Sequence, residues 1–335
     1  MKKIFSLINY FAAIVFVVVA SAQSGCSEKS GKTSGNPVPI VRLDKNLAEF
    51  ATLDSVSRRS MYSRDSVLFA AQMQVMGVDT AGYDYAELFA ESGTVSMFAP
   101  EVARLYPDLK AEEQALGNII IRAREQGISL PERKYAATVW GLPQSIVVNG
   151  NVVIIALNHY LGPEHPAYEG WPEYRRAMKR RDMLPYDLAE ALIAIERPYM
   201  PSGQPTVLSR MLYEGALVYA KMTLSEDESL SKSLGFSDSQ LADVQKNESF
   251  IWERLLDGDM LHSSDPAVIE GLFSPSPVST LISPDAPGRA ARLVGYNIVR
   301  SWLKKNPDAR LDDLLTPNFY DNPATLSAAD YMPAR

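Results

Sequence analysis

A β-rich segment between two helix-rich regions is the feature that most constrains the fold of this chain. Residues 133–158 contain the runs RKYAATVWG, QSIVVNG and NVVIIALN, in which β-branched residues are frequent. Asn149 and Gly150 join the last two runs and form a strong tight-turn signal. Apolar residues on either side of this segment recur at helical spacing. The sequence therefore predicts an α+β fold that is mainly helical, with a small central β-sheet.

The predicted elements outside this segment are one short strand and a series of helices. The strand is expected at IVRLDK, residues 40–45. The helices are expected over residues 44–58, 64–76, 81–91, 111–126, 173–182, 185–197, 206–224, 237–257, 265–272 and 288–305. Proline-rich breaks at 198–205 and 274–288 separate helices without marking independent cores. The sequence has no internal repeat, so a single domain over residues 39–335 is expected.

The amino terminus predicts export. Lys2 and Lys3 precede an apolar run over residues 4–22, and the segment AQSG leads to Cys26, the only cysteine of the chain. An uncleaved anchor is one interpretation, because the run is nearly long enough to span a bilayer. The small residues before Cys26 instead resemble the lipobox of bacterial lipoproteins, whose cysteine is lipidated. Residues 1–25 are therefore predicted to be a lipoprotein signal peptide.

A lipid on Cys26 would determine where the protein resides. Acyl chains such as palmitate would hold it at the cell membrane or outer membrane, facing the periplasm or the surface. Residues 26–38 are polar and rich in Gly and Ser, which predicts a flexible tether. The formal charge of -7 becomes -9 once the signal and its two lysines are removed, so nucleic acid is not expected as a partner. With a single cysteine, the domain must be stabilised by its core instead of an internal disulfide.

The predicted helix at 206–224 has the outline of a zinc-peptidase helix without its metal ligands. Zinc peptidases carry His-Glu-x-x-His on one helix, where two histidines four residues apart bind the metal and the glutamate activates water. Here Tyr213 and Leu217 stand at the histidine positions, and Glu214 stands at the position of the glutamate. A leucine has no lone pair to give, and a tyrosine phenol is a rare ligand. We therefore predict no metal, no cofactor and no catalytic residue on this helix.

Other candidate sites in the sequence are weaker. His159, Glu164 and His165 lie close together in NHYLGPEHP, but a Gly-Pro turn intervenes and the spacing matches no known metal motif. Hydrogen-bonded or surface histidines are the expected interpretation there. Glu214 has an alternative structural role, because Arg210 lies four residues earlier and could pair with it. The chain has no Gly-x-Ser-x-Gly elbow and no glycine-rich dinucleotide turn.

Several segments, taken in order, resemble the GldB family of gliding motility lipoproteins from Bacteroidetes. They are VNGNVVIIALNHYLGPEHPAY, TVLSRMLYEGALVYAKMTL, NESFIWERLLDGDMLHSSD and PGRAARLVGYNIVRSWLKKNP. The resemblance implies a zincin-like metallopeptidase fold that has lost its metal ligands. It places Tyr213, Glu214 and Leu217 where the ligands and base would lie, and Glu248 where some zincins draw a third ligand. The two remaining carboxylates could form a polar pocket, bind a cation, or pair with Arg289 or Arg292.

The expected function is a non-catalytic interaction or assembly role in the gliding or secretion machinery of the cell envelope. The expected partners are the membrane, through the lipid on Cys26, and an envelope protein. Two alternatives stay open. One is a zinc-independent hydrolase of peptide or cell-wall material, for which Tyr213, Glu214 and Glu248 would have to converge in an open cleft. The other is a ligand-binding lipoprotein that captures an extended peptide at the sheet edge beside GLPQSIVVNG.

Overall fold

Four strands form one mixed sheet in the part of the chain that the structure describes. The structure is a computed structural model, and it describes residues 33–78 and 82–333. The strands are β1 (Ile40–Arg42), β2 (Lys134–Thr138), β3 (Ile146–Asn149) and β4 (Val152–Ala156), in the spatial order β1-β2-β4-β3. β1, β2 and β4 run parallel, and β3 is antiparallel to β4. The predictions for the signal peptide and for Cys26 lie outside the described residues.

The β3–β4 hairpin forms where the sequence predicts it. Asn149 pairs with Val152, and Gly150 in the turn has a φ of +58°, a backbone conformation that glycine adopts at little cost. All five residues of β4 are buried, because β4 lies between β2 and β3 and is covered on both faces. β1 and β3 are the outer strands. The central sheet and the α+β class are therefore confirmed.

Helices occupy most of the connection between β1 and β2 and most of the chain after the sheet. The first group is α1 (Leu43–Phe50), α2 (Ser55–Arg64), α3 (Ser66–Val75), α4 (Tyr83–Ala90), α5 (Gly93–Leu105) and α6 (Lys110–Glu125). The second group is α7 (Glu173–Arg176), α8 (Leu184–Glu196), α9 (Val207–Leu224), α10 (Leu230–Leu234), α11 (Asp238–Lys246), α12 (Glu248–Leu256), α13 (Pro266–Phe273), α14 (Ala291–Lys305), α15 (Leu311–Leu314), α16 (Pro317–Tyr320) and α17 (Ala324–Ala329). No helix in the described residues has both the length and the apolarity needed to cross a membrane.

Several predicted boundaries were wrong. The helix expected over 44–58 is two helices, because the side chain of Asp54 accepts hydrogen bonds from the backbone N–H groups of Val56 and Ser57 and starts α2. The helix expected over 237–257 is likewise divided at Asn247, whose φ and ψ of -101° and 15° are not helical. The strand expected over 40–45 ends at Arg42, and the helix expected over 173–182 ends at Arg176.

Five helices were not predicted at all. α5 contains Pro100, which removes a backbone donor and disfavours a helix interior by about 3 kcal/mol. Burial of Val95, Ala99 and Val102 on one face of α5 offsets that cost. α10, α15, α16 and α17 have between four and six residues each, too few for a periodic pattern to show.

α9 is the most enclosed helix of the described residues, and it carries Tyr213, Glu214 and Leu217. Fourteen of its 18 residues are buried, so it is covered on nearly every side, with α6, α8, α10, α13, α14, α15 and α16 around it. Thr206 caps its amino terminus as predicted, since its hydroxyl accepts a hydrogen bond from the Ser209 N–H at 3.1 Å. Thr33–Arg335 form one compact unit. The boundaries of the signal peptide and the tether stay predictions.

α9 and α14 approach each other closely at two glycines. A Cβ atom placed on Gly215 would lie 2.4 Å from the carbonyl oxygen of Gly295, and one placed on Gly295 would lie 2.2 Å from that of Met211. Both distances are far below van der Waals contact, so the two helix backbones touch where the side chains are absent. The glycine that follows Glu214 in the motif is therefore a packing residue.

Candidate functional site

Glu214 lies in the interior and has an arginine on each carboxylate oxygen. Its Oε1 accepts a hydrogen bond from Arg210 Nη2 at 2.6 Å, and its Oε2 lies 3.0 Å from Arg292 Nε. The Arg210 contact is the i,i+4 pair that the sequence indicates. The side chains of Glu214 and Arg292 are 8% and 3% exposed. The carboxylate at the position of a catalytic base is therefore occupied by protein cations.

These contacts belong to a larger group of charges, which we call the α9 cluster: Glu190, Arg210, Glu214, Lys221 and Arg292. Arg292 Nη2 donates to Glu190 Oε1 at 3.2 Å, and Lys221 Nζ donates to Glu190 Oε2 at 2.5 Å. α8, α9 and α14 each contribute at least one of its members. The cluster thus ties three helices together through charge-assisted hydrogen bonds.

The cations of the cluster determine the protonation of Glu190. Burial alone would raise the pKa of this carboxyl, but Lys221 and Arg292 outweigh burial and hold the pKa well below its usual range. At nearby Arg289, the neighbouring charge adds to the effect of burial instead of opposing it. Burial and the charge of Arg292 lower its guanidinium pKa to about 10, which still leaves it protonated at neutral pH. Glu190 and Arg289 are therefore both charged at neutral pH.

Tyr213 and Leu217, which stand at the histidine positions of the zinc-peptidase pattern expected from the sequence, are packing residues. The hydroxyl of Tyr213 donates to the carbonyl oxygen of Arg197 at 2.9 Å, and its ring contacts the rings of Tyr199 and Tyr320. Burial raises the pKa of Tyr213 well above its ordinary value. A neutral phenol that already donates its proton to a backbone carbonyl is a poor metal ligand. Leu217 is 4% exposed and belongs to the hydrophobic core.

Glu248, the other candidate carboxylate, has its own partners at the start of α12. Its Oε1 accepts hydrogen bonds from Asn297 Nδ2 at 2.7 Å and from the Tyr331 hydroxyl at 2.5 Å. Burial and this hydrogen bond to a carboxylate raise the pKa of Tyr331 far above its ordinary value. Glu214 and Glu248 have no partner in common. The structure does not bring Tyr213, Glu214 and Glu248 together in one open cleft, because Glu248 lines a surface pocket beside α14 to which neither Tyr213 nor Glu214 contributes.

The histidines make separate hydrogen bonds. His165 Nδ1 accepts from the Ala167 N–H at 3.2 Å, and exposed His262 pairs with Asp259 at 2.6 Å. His159 is buried, and burial together with the charge of Lys179 lowers its pKa to about 3. Within residues 33–78 and 82–333, no group of three or more His, Cys, Asp or Glu side chains is arranged to hold a metal ion.

A second polar group surrounds His159. Ser145 Oγ lies 3.0 Å from His159 Nδ1 and accepts a hydrogen bond from Lys179 Nζ at 3.1 Å. Burial lowers the pKa of Lys179, whose ammonium group lies 5.1 Å from the centre of the Trp171 ring. A serine in contact with a histidine and a lysine is an arrangement found at nucleophilic sites. The sequence did not reveal it, because the three residues are up to 34 positions apart and match no motif.

The sequence also missed Glu190 and Lys221 in the α9 cluster. Lys221 lies seven residues after Glu214, which places both on one side of α9, and this spacing was the only signal available. Glu190 lies on α8, so nothing local to α9 could indicate it.

The fold and the site define an α+β protein whose central helix keeps a buried glutamate inside an ion-pair cluster. The chain belongs to the family described as gliding motility protein GldB, whose model matches residues 27–333. The resemblance expected from the sequence is thereby confirmed. No curated protein and no solved structure is significantly similar to the chain.

Proposed function

We propose that this protein is a lipid-anchored component of the cell envelope that serves the gliding or secretion machinery by binding or assembling other proteins, without catalysis. The single observation that carries the proposal is the state of Glu214. Both of its carboxylate oxygens are engaged by Arg210 and Arg292 at the position where a zinc peptidase keeps its catalytic base. The fold is proposed to be that of a zincin whose metal site has been replaced by packing.

The physical argument concerns what a general base needs. A base must have a free lone pair that reaches the proton it removes, and its pKa must lie near the working pH. Glu214 is buried and each of its carboxylate oxygens faces a guanidinium group, so it is not free to reach a substrate proton. Removing Glu214 would leave buried Arg292 with Glu190 as its remaining countercharge, so the glutamate has a structural role that needs no catalysis. We infer that its role is to hold α9 against α14.

The proposal is tested by comparing Glu214→Gln with wild type in the bacterium from which the chain derives. Deletion of the gene should abolish spreading over a surface, and both wild type and Glu214→Gln should restore it when matched for protein abundance. The Cys26→Ser protein should no longer be found in the membrane fraction, and it should fail to restore spreading. Affinity capture of the wild-type lipoprotein from its own membranes should retain a defined envelope protein.

Two outcomes would contradict the proposal. The first is one tightly bound zinc ion per purified chain, together with a hydrolytic activity that disappears in Glu214→Gln. The second is a Glu214→Gln protein that reaches normal abundance in the membrane but does not support spreading. That second result would assign Glu214 a function beyond stability.

The zinc-independent hydrolase is the second candidate, and the contact of Ser145 with His159 and Lys179 is what favours it. A fluorophosphonate probe tests it, because such probes label activated serines. Labelling that wild type shows and Ser145→Ala lacks would support hydrolysis. Equal absence of labelling in both proteins would favour the non-catalytic role.

Peptide capture at the β3 edge is the third candidate. β3 is an outer strand, and its four residues are only partly buried, which is the condition under which an extended segment can add to a sheet. In the register of this hairpin the N–H of Val147 faces β4, whereas that of Val148 faces the outer edge, so a proline at Val148 would remove an edge donor. Loss of the captured envelope protein in a folded Val148→Pro variant would support this mode of binding.

A further inference from the structure

A cavity of about 710 Å³ lies at the β1 side of the sheet, away from the α9 cluster. Its walls come from the start of β1, from α3 and α6, and from the segment 130–135 that leads into β2. The volume falls within the range of about 300–1,000 Å³ that is typical of small-molecule sites. Apolar residues supply much of the lining: Val38, Val41, Val67, Leu68, Ile120 and Leu130.

Basic side chains outnumber acidic ones around this cavity. Arg64, Arg124, Arg133 and Lys134 line it, against Asp65 and Glu132. Asp65 is already engaged, because its Oδ2 accepts hydrogen bonds from Arg64 at 2.9 Å and from Asn46 at 2.9 Å. Asp65 neutralises Arg64, and Glu196 outside the lining pairs with Arg133, so the remaining charges are Arg124 and Lys134 against Glu132. The lining therefore keeps a net positive charge in a chain whose formal charge is -7. A field of this sign attracts anions.

Arg133 gives an independent indication of a ligand. Its side chain is only 7% exposed, and its Nη2 donates to Glu196 Oε1. Its Nε and Nη1 are buried and have no hydrogen-bond partner. A buried donor without a partner costs about 1–3 kcal/mol, more when it is charged. Buried guanidinium nitrogens beside a cavity are what a carboxylate or phosphate group would satisfy.

The cavity is not suited to adding a peptide strand to β1. Glu113 already occupies the outer side of this edge, since its carbonyl oxygen accepts from the Val38 N–H at 3.0 Å and its Oε1 accepts from the Ile40 N–H at 3.0 Å. The backbone donors that strand addition requires are therefore taken. A ligand would have to bind through a charged head group and an apolar body.

We propose that the cavity between β1, α3 and α6 binds a small amphipathic anion, a carboxylate or phosphate group attached to an apolar chain, with Arg133 as the principal anchor. Arg124 and Lys134, both exposed, supply further positive charge for the head group. The valines and leucines of the lining contact the apolar chain. This site is separate from Glu214, and it stands whether or not the proposed assembly function is correct.

The experiment is isothermal titration of the full-length lipidated protein in nanodiscs, with titration into empty nanodiscs subtracted. The probes are hexanoate, hexyl phosphate, hexanol and inorganic phosphate, chosen because six-carbon chains partition weakly into lipid. Hexanoate or hexyl phosphate should bind with one site per chain, and binding should weaken as salt rises. The stronger of the two identifies the head group. Equal binding of hexanol, or inorganic phosphate binding as tightly as hexyl phosphate, would overturn the proposal.

Ligand affinities of single-residue variants test whether the ligand binds in this cavity. Arg133→Met should weaken binding at least about tenfold, because a charge-assisted hydrogen bond to a buried group is lost. Arg124→Ala and Lys134→Ala should each weaken it by a few-fold, and these exposed residues are not needed for folding. Glu132→Gln should strengthen binding, and Lys246→Ala, an exposed lysine on α11, should leave it unchanged. Binding that is unaffected by Arg124→Ala and Lys134→Ala in folded proteins would refute the assignment even if Arg133→Met fails to fold.

Discussion

Gly215→Ala gives the sharpest test of how α9 and α14 pack, because sequence and structure predict opposite signs. On sequence alone, alanine in a helix interior is favoured over glycine by about 1 kcal/mol. In the structure, the new Cβ would lie 2.3 Å from the backbone carbon of Gly295, 2.4 Å from its oxygen and 2.6 Å from the nitrogen of Tyr296. None of these atoms can rotate away, so the helices must separate.

The expected loss in the free energy of unfolding follows from that separation of the two helices. Inserting a methyl group into a well-packed interior costs about 1–3 kcal/mol, and α9 is surrounded by helices that would also have to shift. We therefore take the upper end of that range, about 3 kcal/mol. Once the gain in helix propensity of about 1 kcal/mol is subtracted, Gly215→Ala should lower the free energy of unfolding by about 2 kcal/mol. Gly295→Ala should act similarly, since its Cβ would lie 2.2 Å from the carbonyl oxygen of Met211. The double variant should cost less than the sum, because one separation of the helices relieves both clashes.

The assay is urea unfolding followed by circular dichroism and tryptophan fluorescence, with midpoints and slopes compared among variants. Gly93→Ala is the matched control, because Gly93 is the first residue of α5 and its added Cβ would have nothing within 4 Å. That variant should be neutral or slightly stabilising. A Gly215→Ala protein as stable as wild type would refute the backbone contact between α9 and α14.

The remaining predictions concern charge and pH. Glu214→Gln should lower the free energy of unfolding by about 3 kcal/mol, because buried Arg292 keeps only Glu190 as a countercharge. Glu253→Gln, at an exposed position of α12, should change it by less than about 1 kcal/mol in the same urea titration. His159 is neutral in the folded state with a pKa of about 3, so the unfolded chain binds the extra proton below its ordinary pKa of 6.5. Stability should then fall by about 2 kcal/mol between pH 7 and pH 5, and His159→Asn, but not His262→Asn, should remove that slope in thermal melts. The lowered pKa of Glu190 stabilises the fold above the ordinary glutamate pKa, so acid unfolding below about pH 4.5 should be less steep in Glu190→Gln.

The sequence predicted those parts of the fold that depend on short-range patterns. The Asn149-Gly150 turn and the Thr206 cap act within a few residues, so the hairpin and the start of α9 were correct. The order of the strands was beyond the same reasoning. β1 pairs with β2 across six helices, and no periodicity in the sequence encodes which strands become neighbours.

The contacts of the candidate site are likewise of two kinds, those that the sequence indicates and those that depend on the fold. The Arg210 contact with Glu214 is an i,i+4 pair, and spacing alone indicates it. The Arg292 contact depends on how α14 lies on α9, and the contact of Ser145 with His159 and Lys179 depends on three separate loops and turns. The unpartnered nitrogens of Arg133 have no sequence signature at all, because burial of a guanidinium group is a property of the fold.

The roles of Glu214 and Gly215 are linked, because both depend on how closely α14 packs against α9. A metal site requires space around the helix for an ion, a water molecule and a substrate, whereas Gly215 brings the backbone of α14 into contact with α9. Once the helices are that close, a carboxylate on the same turn can only be stable if the neighbouring helix supplies a cation, and Arg292 does so from one turn before Gly295. Glutamate at one position and glycine at the next therefore satisfy a single requirement, close helix packing with balanced charge. Replacing either residue alone should weaken the α9–α14 contact, which is why both substitutions are predicted to act on stability.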